Sequence, residues 1–261
     1  NEDIYSLLGR EPVRTDLIYG GTLPMVPQAA AKAMLEQYKK LAISTLRIKI
    51  GDDPDFNRTL LHTAHEMTGE DFDLRVDANC VWNLDTVFQH LENLQSVGIT
   101  IVEEPFGREP EMILKLREDP RSKGFVFVAD ESVLSLQDLQ VIGRNQTYDI
   151  INIRLSKNGG LMRSLALAEA ATELGIQYQL GCHVGETGIL SAAGRIAASL
   201  MAQPLYIDGS YDNYLLSDNI INENLTFGIG GKAEAVRNNG LGFTINTGKL
   251  KGLCNDHLTC F

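Results

Sequence analysis

The chain has 261 residues, 44% of them hydrophobic and 22% charged, a composition that suits a globular protein with one large core or two small ones. Its formal charge of −11 opposes phosphate backbones and acidic bilayers alike, so neither a nucleic acid nor a membrane surface is expected as a partner. Four cysteines, Cys80, Cys182, Cys254 and Cys260, are scattered without a CxxC spacing. With no secretory apolar stretch and no apolar run near membrane-spanning length, they read as free thiols of a reducing, cytoplasmic compartment. The first residue is Asn rather than Met, as in a processed or partial product.

Residues 1–14 read as the end of a helix running into a turn at Gly9 and Pro12. A short strand is expected at 16–19, closed by Gly20-Gly21, and a helix at 27–41. The run from Thr45 to Gly51 is β-rich and carries Arg47 and Lys49 two apart, hence on one face. Amphipathic stretches at 56–67, 84–97 and 111–116 then lead into three apolar runs that end in acid: Asp77, Glu103 and Asp130, spaced 26 and 27 residues apart. A helix at 136–145, a strand at 149–154, an Ala-rich helix at 161–174 and an apolar run at 177–180 follow, the last ending at Gly181-Cys182-His183. A small-residue helix at 189–201 precedes the eighth run, 205–207, which ends at Asp208.

Eight strands alternating with helices predict an α/β fold of TIM-barrel type. No clear helix follows the eighth run, so the (β/α)7β variant is expected. An open doubly wound sheet is the competing arrangement, but no GxGxxG follows the first strand. The expected division is 1–14 as the remnant of a helix from a preceding domain, 15–212 as the barrel with the catalytic residues, and 213–261 as a tail packed on the barrel or on that preceding domain.

Strand ends of such a barrel converge on one mouth. Three carboxylates gathered there repel one another by roughly 4 kcal/mol per pair at ~4 Å and an effective dielectric of ~20, so a cation is needed between them. A site made of carboxylate oxygens, with room for water, suits octahedral Mg²⁺ better than zinc, with Mn²⁺ as a substitute. The ordinary alternative for any one of these acids is a helix N-cap. His62 and His65 read as a surface pair on a helix, Trp82 as lining the mouth or covering the helix behind it, and Cys254 and Cys260 as chemically idle.

The ordered set Arg47-x-Lys49, Val76-Asp77-Ala78-Asn79, Val102-Glu103-Glu104-Pro105, Ala129-Asp130-Glu131-Ser132, Lys157-Asn158-Gly159-Gly160 and Gly240-Leu241-Gly242 resembles the enolase superfamily, nearest its muconate-lactonizing-enzyme-like branch. The resemblance implies Mg²⁺ held by Asp77, Glu103 and Asp130 and a small carboxylate substrate. It also implies Lys49 as the base that removes the α-proton to give an enediolate, leading to cycloisomerisation or to racemisation or epimerisation. It further implies a homo-oligomer and an α+β capping domain, of which the chain begins at about the last helix.

Three departures from the family pattern shape these expectations. Arg47 replaces the first lysine of the family's Lys-x-Lys and is expected to balance the substrate carboxylate. Arg154 stands where the sixth strand offers a lysine on the opposite substrate face; arginine stays protonated, so a one-base reaction with Arg154 as electrostatic stabiliser is expected. His183 ends the seventh strand, where a sister branch keeps a catalytic histidine, which leaves a sugar-acid dehydratase using His183 as an alternative. Lys157 is a weaker candidate for the missing base. Glu186 is expected to support the substrate, and Asp208 to lie where dipeptide epimerases hold an ammonium, although Tyr206 replaces the first member of their Asp-x-Asp pair. A non-catalytic ligand-binding relative is the reading from outside the enzymes.

Overall fold

In the computed structural model, which describes residues 2–253, a curled parallel sheet is wrapped by helices. In chain order the described residues form α1 (Ile4–Leu8), β1 (Asp16–Ile18), β2 (Gly21–Leu23), α2 (Gln28–Lys40), β3 (Thr45–Lys49), α3 (Pro54–Thr68), β4 (Asp73–Asp77), α4 (Val87–Gln95) and β5 (Ile101–Glu103). They continue with α5 (Pro110–Glu118), β6 (Val126–Ala129), α6 (Leu136–Asn145), β7 (Ile150–Ile153), α7 (Leu161–Glu173), β8 (Gln177–Leu180), α8 (Gly188–Leu200), α9 (Asp212–Leu215), β9 (Lys232–Glu234) and α10 (Thr247–Leu253).

Strands β2 to β8 pair in sequence order, each parallel to the last. The eighth run closes the ring. Leu205 N donates to Tyr178 O, Leu180 N to Tyr206 O and Asp208 N to Leu180 O on one side, while Gly20 N donates to Ile207 O on the other. The protein is thus a barrel of eight parallel segments, of the (β/α) type expected.

The first barrel strand is β2, and the run at 16–19 is not part of the barrel. β1 pairs antiparallel with β9 from the tail, Leu17 opposite Ala233. The reason lies in burial and in two glycines. β1 buries Leu17 and exposes Asp16 and Ile18, the pattern of an outer ribbon. Gly20 and Gly21 are not a closing turn; they let the chain pass tightly against its neighbours, since a Cβ on Gly20 would lie 2.5 Å from Thr45 Oγ1 and one on Gly21 2.9 Å from Tyr38 Cε1.

The core is the shell between strands and helices. Leu46, Ile48, Val76, Val102, Ile151 and Leu180 face Leu35, Leu61, Leu91, Leu116, Leu139 and Leu165, all buried in one cluster. Each fully buried side chain of this kind contributes roughly 1.5–3 kcal/mol. Helix starts are chemically specified: Asp53 caps α3 with Pro54 in its first turn, and Ser135 and Asp138 form a capping box on α6. A second, smaller cluster joins Tyr5 of α1 to Ala192 and Ile196 of α8 and to Ile221, Leu225 and Val236 of the tail. No helix among the described residues is long and apolar enough to cross a membrane. Cys80 and Cys182 are free thiols; Cys254 and Cys260 lie outside the described residues.

Candidate active site

Side chains two apart on a strand share a face, and along the barrel strands the apolar ones turn out to the helices while the polar ones turn inward. Lys49, Asp77 and Glu103 are direct cross-strand neighbours on β3, β4 and β5. Glu103 pairs with Val128 of β6, and Asp130 lies two residues further on, so it emerges on the same face one layer higher. Asp77, Glu103 and Asp130 are fully buried, and one oxygen from each lies within 4.8 Å of the others. Two ligands of one Mg²⁺ at ~2.1 Å span at most about 4.2 Å, so the set needs to close only slightly to fit the ion. The donor chemistry, three carboxylates and no histidine or thiol, fits Mg²⁺.

Cations fill the space around these acids. Arg47 Nη1 donates to Glu103 at 3.0 Å and lies 3.7 Å from Asp77, while its Nε is 3.5 Å from Asp208. Lys49 Nζ contacts Asp77 Oδ2 directly and Asn79 Oδ1 at 2.8 Å. Arg154 from the end of β7 pairs with Asp130 Oδ2 and lies 3.6 Å from Glu103. Lys157 Nζ is tied at 2.7 Å to Asp130 Oδ1 and to the carbonyls of Asp130 and Asn152. Burial outweighs these contacts for Lys157, helped by the Arg154 charge, and its pKa falls to about 7.

The acids respond differently to one low-dielectric site. Burial alone would raise Glu103, but Arg47, then Arg154 and Lys49, hold it well below the usual carboxylate range, at about 2. Asp77 is raised, first by burial and then by the Glu103 charge, against Arg47 and Lys49. Glu103 also accepts from Asn152 Nδ2 and Gln179 Nε2, each at 2.8 Å, so its two oxygens are oriented from the far side of the barrel.

Asp208 is buried in the barrel interior, where Arg75 Nη2 donates to both its oxygens at 2.7 Å. An ammonium group there would share those oxygens with Arg75. His183 sits at the rim with its side chain about half exposed; its Nδ1 is 2.5 Å from Ser156 Oγ, and its backbone N donates to Glu186 Oε1 at 2.9 Å. Burial, then the Arg154 and Lys157 charges, lowers the His183 pKa and keeps the ring neutral near pH 7, while burial raises Glu186. The structure thus gathers Arg47, Lys49, Asp77, Glu103, Asp130 and Arg154 in one network, sets Asp208 beneath it, and leaves His183 and Glu186 as a separate pair at the rim.

Trp82 does not line the mouth. It is buried, stacks on His90 of α4 at 4.4 Å and donates from Nε1 to Gly51 O. His62 contacts Ser96 Oγ at 3.4 Å on the helical exterior. Cys80 and Cys182 are pushed up to about 12 by burial and carry no thiolate near neutral pH.

Residues that sequence reasoning missed are the inward polar ones below the rim: Arg75, Asn152 and Gln179. Each interrupts an apolar strand two positions before the mouth, as in Ile151-Asn152-Ile153, and that interruption was the available signal. Glu104 was also passed over, although it follows Glu103 directly. It is buried without contact to any cation, and burial raises it to about 7.

Comparison with known proteins places this geometry. Residues 28–249 match the family described as enolase C-terminal domain-like. The hydrophobic dipeptide epimerase of Enterococcus faecalis is 32% identical over 199 residues, 75% of this chain and 54% of the relative. The L-Ala-D/L-Glu epimerase of Clostridium acetobutylicum is 28% identical over 211 residues, 79% of this chain and 57% of the relative. This chain therefore spans about half the length of these relatives. The solved muconate lactonizing enzyme from Pseudomonas putida superposes with a TM-score of 0.86 at 23% identity, over 97% of this chain and 70% of that one. By the match across most of its length, the chain belongs to the enolase C-terminal domain-like family.

Proposed function

We propose that this barrel removes the proton α to the carboxylate of a small substrate, with Lys49 as the base, in an epimerisation or a cycloisomerisation. The observation that carries the reading is the convergence of Asp77, Glu103 and Asp130 beside Lys49. Mg²⁺ held by the three carboxylates, or Mn²⁺ in its place, would supply a Lewis acid for the substrate carboxylate. Lys49 and Arg47 lie on the β3 side of the acids and Arg154 on the β7 side, so a substrate lying over the acids meets a base on one flank and a permanent cation on the other. Arg47 balances the substrate carboxylate, and Arg154 stabilises the charge that develops as the proton leaves. Because arginine does not give up its proton, a one-base course is favoured over two-base racemisation.

The similarity to dipeptide epimerases supports a small carboxylate as substrate, with Glu186 and Asp208 as further contacts to it. A cytoplasmic setting follows from the same reading and agrees with the free thiols Cys80 and Cys182; a homo-oligomer is its natural assembly. A second reading, dehydration of a sugar acid with His183 as acid or base, is favoured by the neutral His183 ring held by Ser156 at the rim.

The test is α-proton exchange in D₂O, followed by NMR, over a panel of dipeptides, N-acyl amino acids, muconate-type dicarboxylates and sugar acids. Exchange that Lys49→Ala abolishes is the expected outcome. Exchange that survives Lys49→Ala removes Lys49 as the base, and loss with His183→Asn alone moves the assignment to the dehydratase reading. Metal-dependent binding of the panel with no exchange on any member leaves a ligand-binding barrel.

A further inference from the structure

We propose that Glu104 is a positioning residue that sets two of the three metal-binding carboxylates at once. The inference rests on the metal site proposed above. Glu104 follows Glu103 directly and adopts φ +38°, in the left-handed region that non-glycine residues seldom enter. Glu103 faces the barrel interior through its register on β5, and the next residue, Glu104, sends its side chain to the end of β6. There its carboxylate, fully buried, accepts four hydrogen bonds. Oε2 takes Asp130 N at 2.5 Å and Ser132 N at 3.0 Å; Oε1 takes Ser132 Oγ at 2.5 Å and Tyr148 OH at 2.8 Å.

The consequence is mechanical. Asp130 lies just past the end of β6, in loop backbone whose carbonyl is held by Lys157 Nζ and Val133 N and whose N–H takes Glu104 as its partner. The hydrogen bond from its own N–H to Glu104 fixes its distance from the β5 end, and so from Glu103. Tyr148, buried and two positions before the start of β7, anchors the same carboxylate from the next strand's approach. One side chain therefore ties the ends of β5 and β6 and the entry to β7 to a common point, and the spacing of Glu103 and Asp130 follows from it. Partners that orient metal ligands from behind commonly matter by 10–100-fold in metal affinity.

The clamp works by shape rather than charge. A glutamine at 104 keeps one oxygen for the two backbone N–H groups, and its amide nitrogen donates to the Ser132 and Tyr148 hydroxyls, which rotate to accept. Alanine keeps neither.

Mn²⁺ binding to the full chain, read from the loss of the free-ion electron paramagnetic resonance signal, tests this without any substrate. Wild type is expected to bind, and Asp130→Asn to bind much more weakly; equal binding by these two overturns the metal site itself. With the site established, Glu104→Ala is expected to weaken Mn²⁺ binding by about 10–100-fold while the circular dichroism spectrum stays native. Glu104→Gln is expected to restore it to within about threefold of wild type. Wild-type affinity in Glu104→Ala, or a Glu104→Gln as weak as alanine, overturns the clamp. If Glu104→Ala does not fold, the pair Ser132→Ala/Tyr148→Phe, which removes the two hydroxyl donors, decides: affinity equal to wild type overturns the proposal.

Discussion

At the scale of single residues, the buried ion pair of Arg75 and Asp208 shows how much of the barrel interior is electrostatic. Arg75 is almost fully buried, its Nη2 bridges both Asp208 oxygens, and its guanidinium lies 4.1 Å over the Tyr206 ring. Removing one partner of such a pair leaves a buried charge without compensation, which costs about 3–5 kcal/mol, whereas removing both costs far less. Arg75→Met is therefore expected to lower the urea unfolding free energy by about 3–5 kcal/mol. Arg75→Met/Asp208→Asn is expected to recover much of that loss. A double variant no more stable than the single would show that packing on Tyr206, not the charge pair, carries the effect. Arg47, 3.5 Å from Asp208, keeps part of the compensation in the single variant and sets the lower end of the range.

At the scale of elements, the ribbon of β1 and β9 depends on one glycine. Gly231 has φ +67°, and a Cβ there would lie 2.2 Å from the backbone oxygen of Tyr19, a close approach held by the hydrogen bond from Tyr19 N to Gly231 O at 2.8 Å. Gly231→Ala is expected to open the ribbon, raising amide exchange at Leu17 and Ala233. Gly240→Ala, at φ +64° but in open space, is expected to cost only about 1 kcal/mol with exchange at the ribbon unchanged. Equal exchange in the two variants would remove the close approach as the cause. The loops after β3 and β4 are joined by a second device: Asn57 Nδ2 donates to Gly51 O and faces His90 Nδ1, and His90 stacks on Trp82. Burial lowers His90 to about 4, so the unfolded chain takes up its proton first as pH falls below about 6.5. Stability contributed by the neutral ring is thus present above pH 6.5 and lost between about 6.5 and 4. His90→Phe, which keeps the stack, is expected to flatten the urea midpoint over that window relative to wild type. Of the fold, the alternation of strands and helices was legible in the sequence because helical and strand periodicities switch cleanly, as at 136–145 and 150–153. The first strand was not, because Asp16 to Ile18 is as strand-like as Gly21 to Leu23, and only the partner in the distant tail distinguishes an outer ribbon from a barrel segment.

At the scale of the whole molecule, the charge is unevenly placed. The chain carries −11, yet the ion-pair network at and below the mouth joins five cations, Arg47, Lys49, Arg75, Arg154 and Lys157, to four carboxylates, Asp77, Glu103, Asp130 and Asp208. Asp77, Glu103 and Asp130 were legible because each ends a strand at a regular interval. The cations that neutralise them were legible only in part, since Arg75 and Lys157 come from different levels of the barrel and meet the acids through closure of the ring. The imbalance has a thermodynamic consequence. With Lys157 at a pKa of about 7 the network stands between net 0 and +1, and a divalent ion raises it to between +2 and +3, a poor state for a buried site unless an anion joins it. Metal and carboxylate binding are then expected to be positively coupled, each tightening the other by the same factor. Thermal unfolding in Mg²⁺ alone, in malonate alone and in both is expected to show a combined stabilisation larger than the sum of the two separate ones. At ligand near 100 times its dissociation constant the metal contribution approaches about 2.7 kcal/mol. Asp130→Asn is expected to lose both the Mg²⁺ effect and the coupling. Strictly additive shifts in the wild-type chain would mean that the cations around Asp77 and Asp130 are compensated without a substrate anion, and the charge argument for a carboxylate ligand would fall.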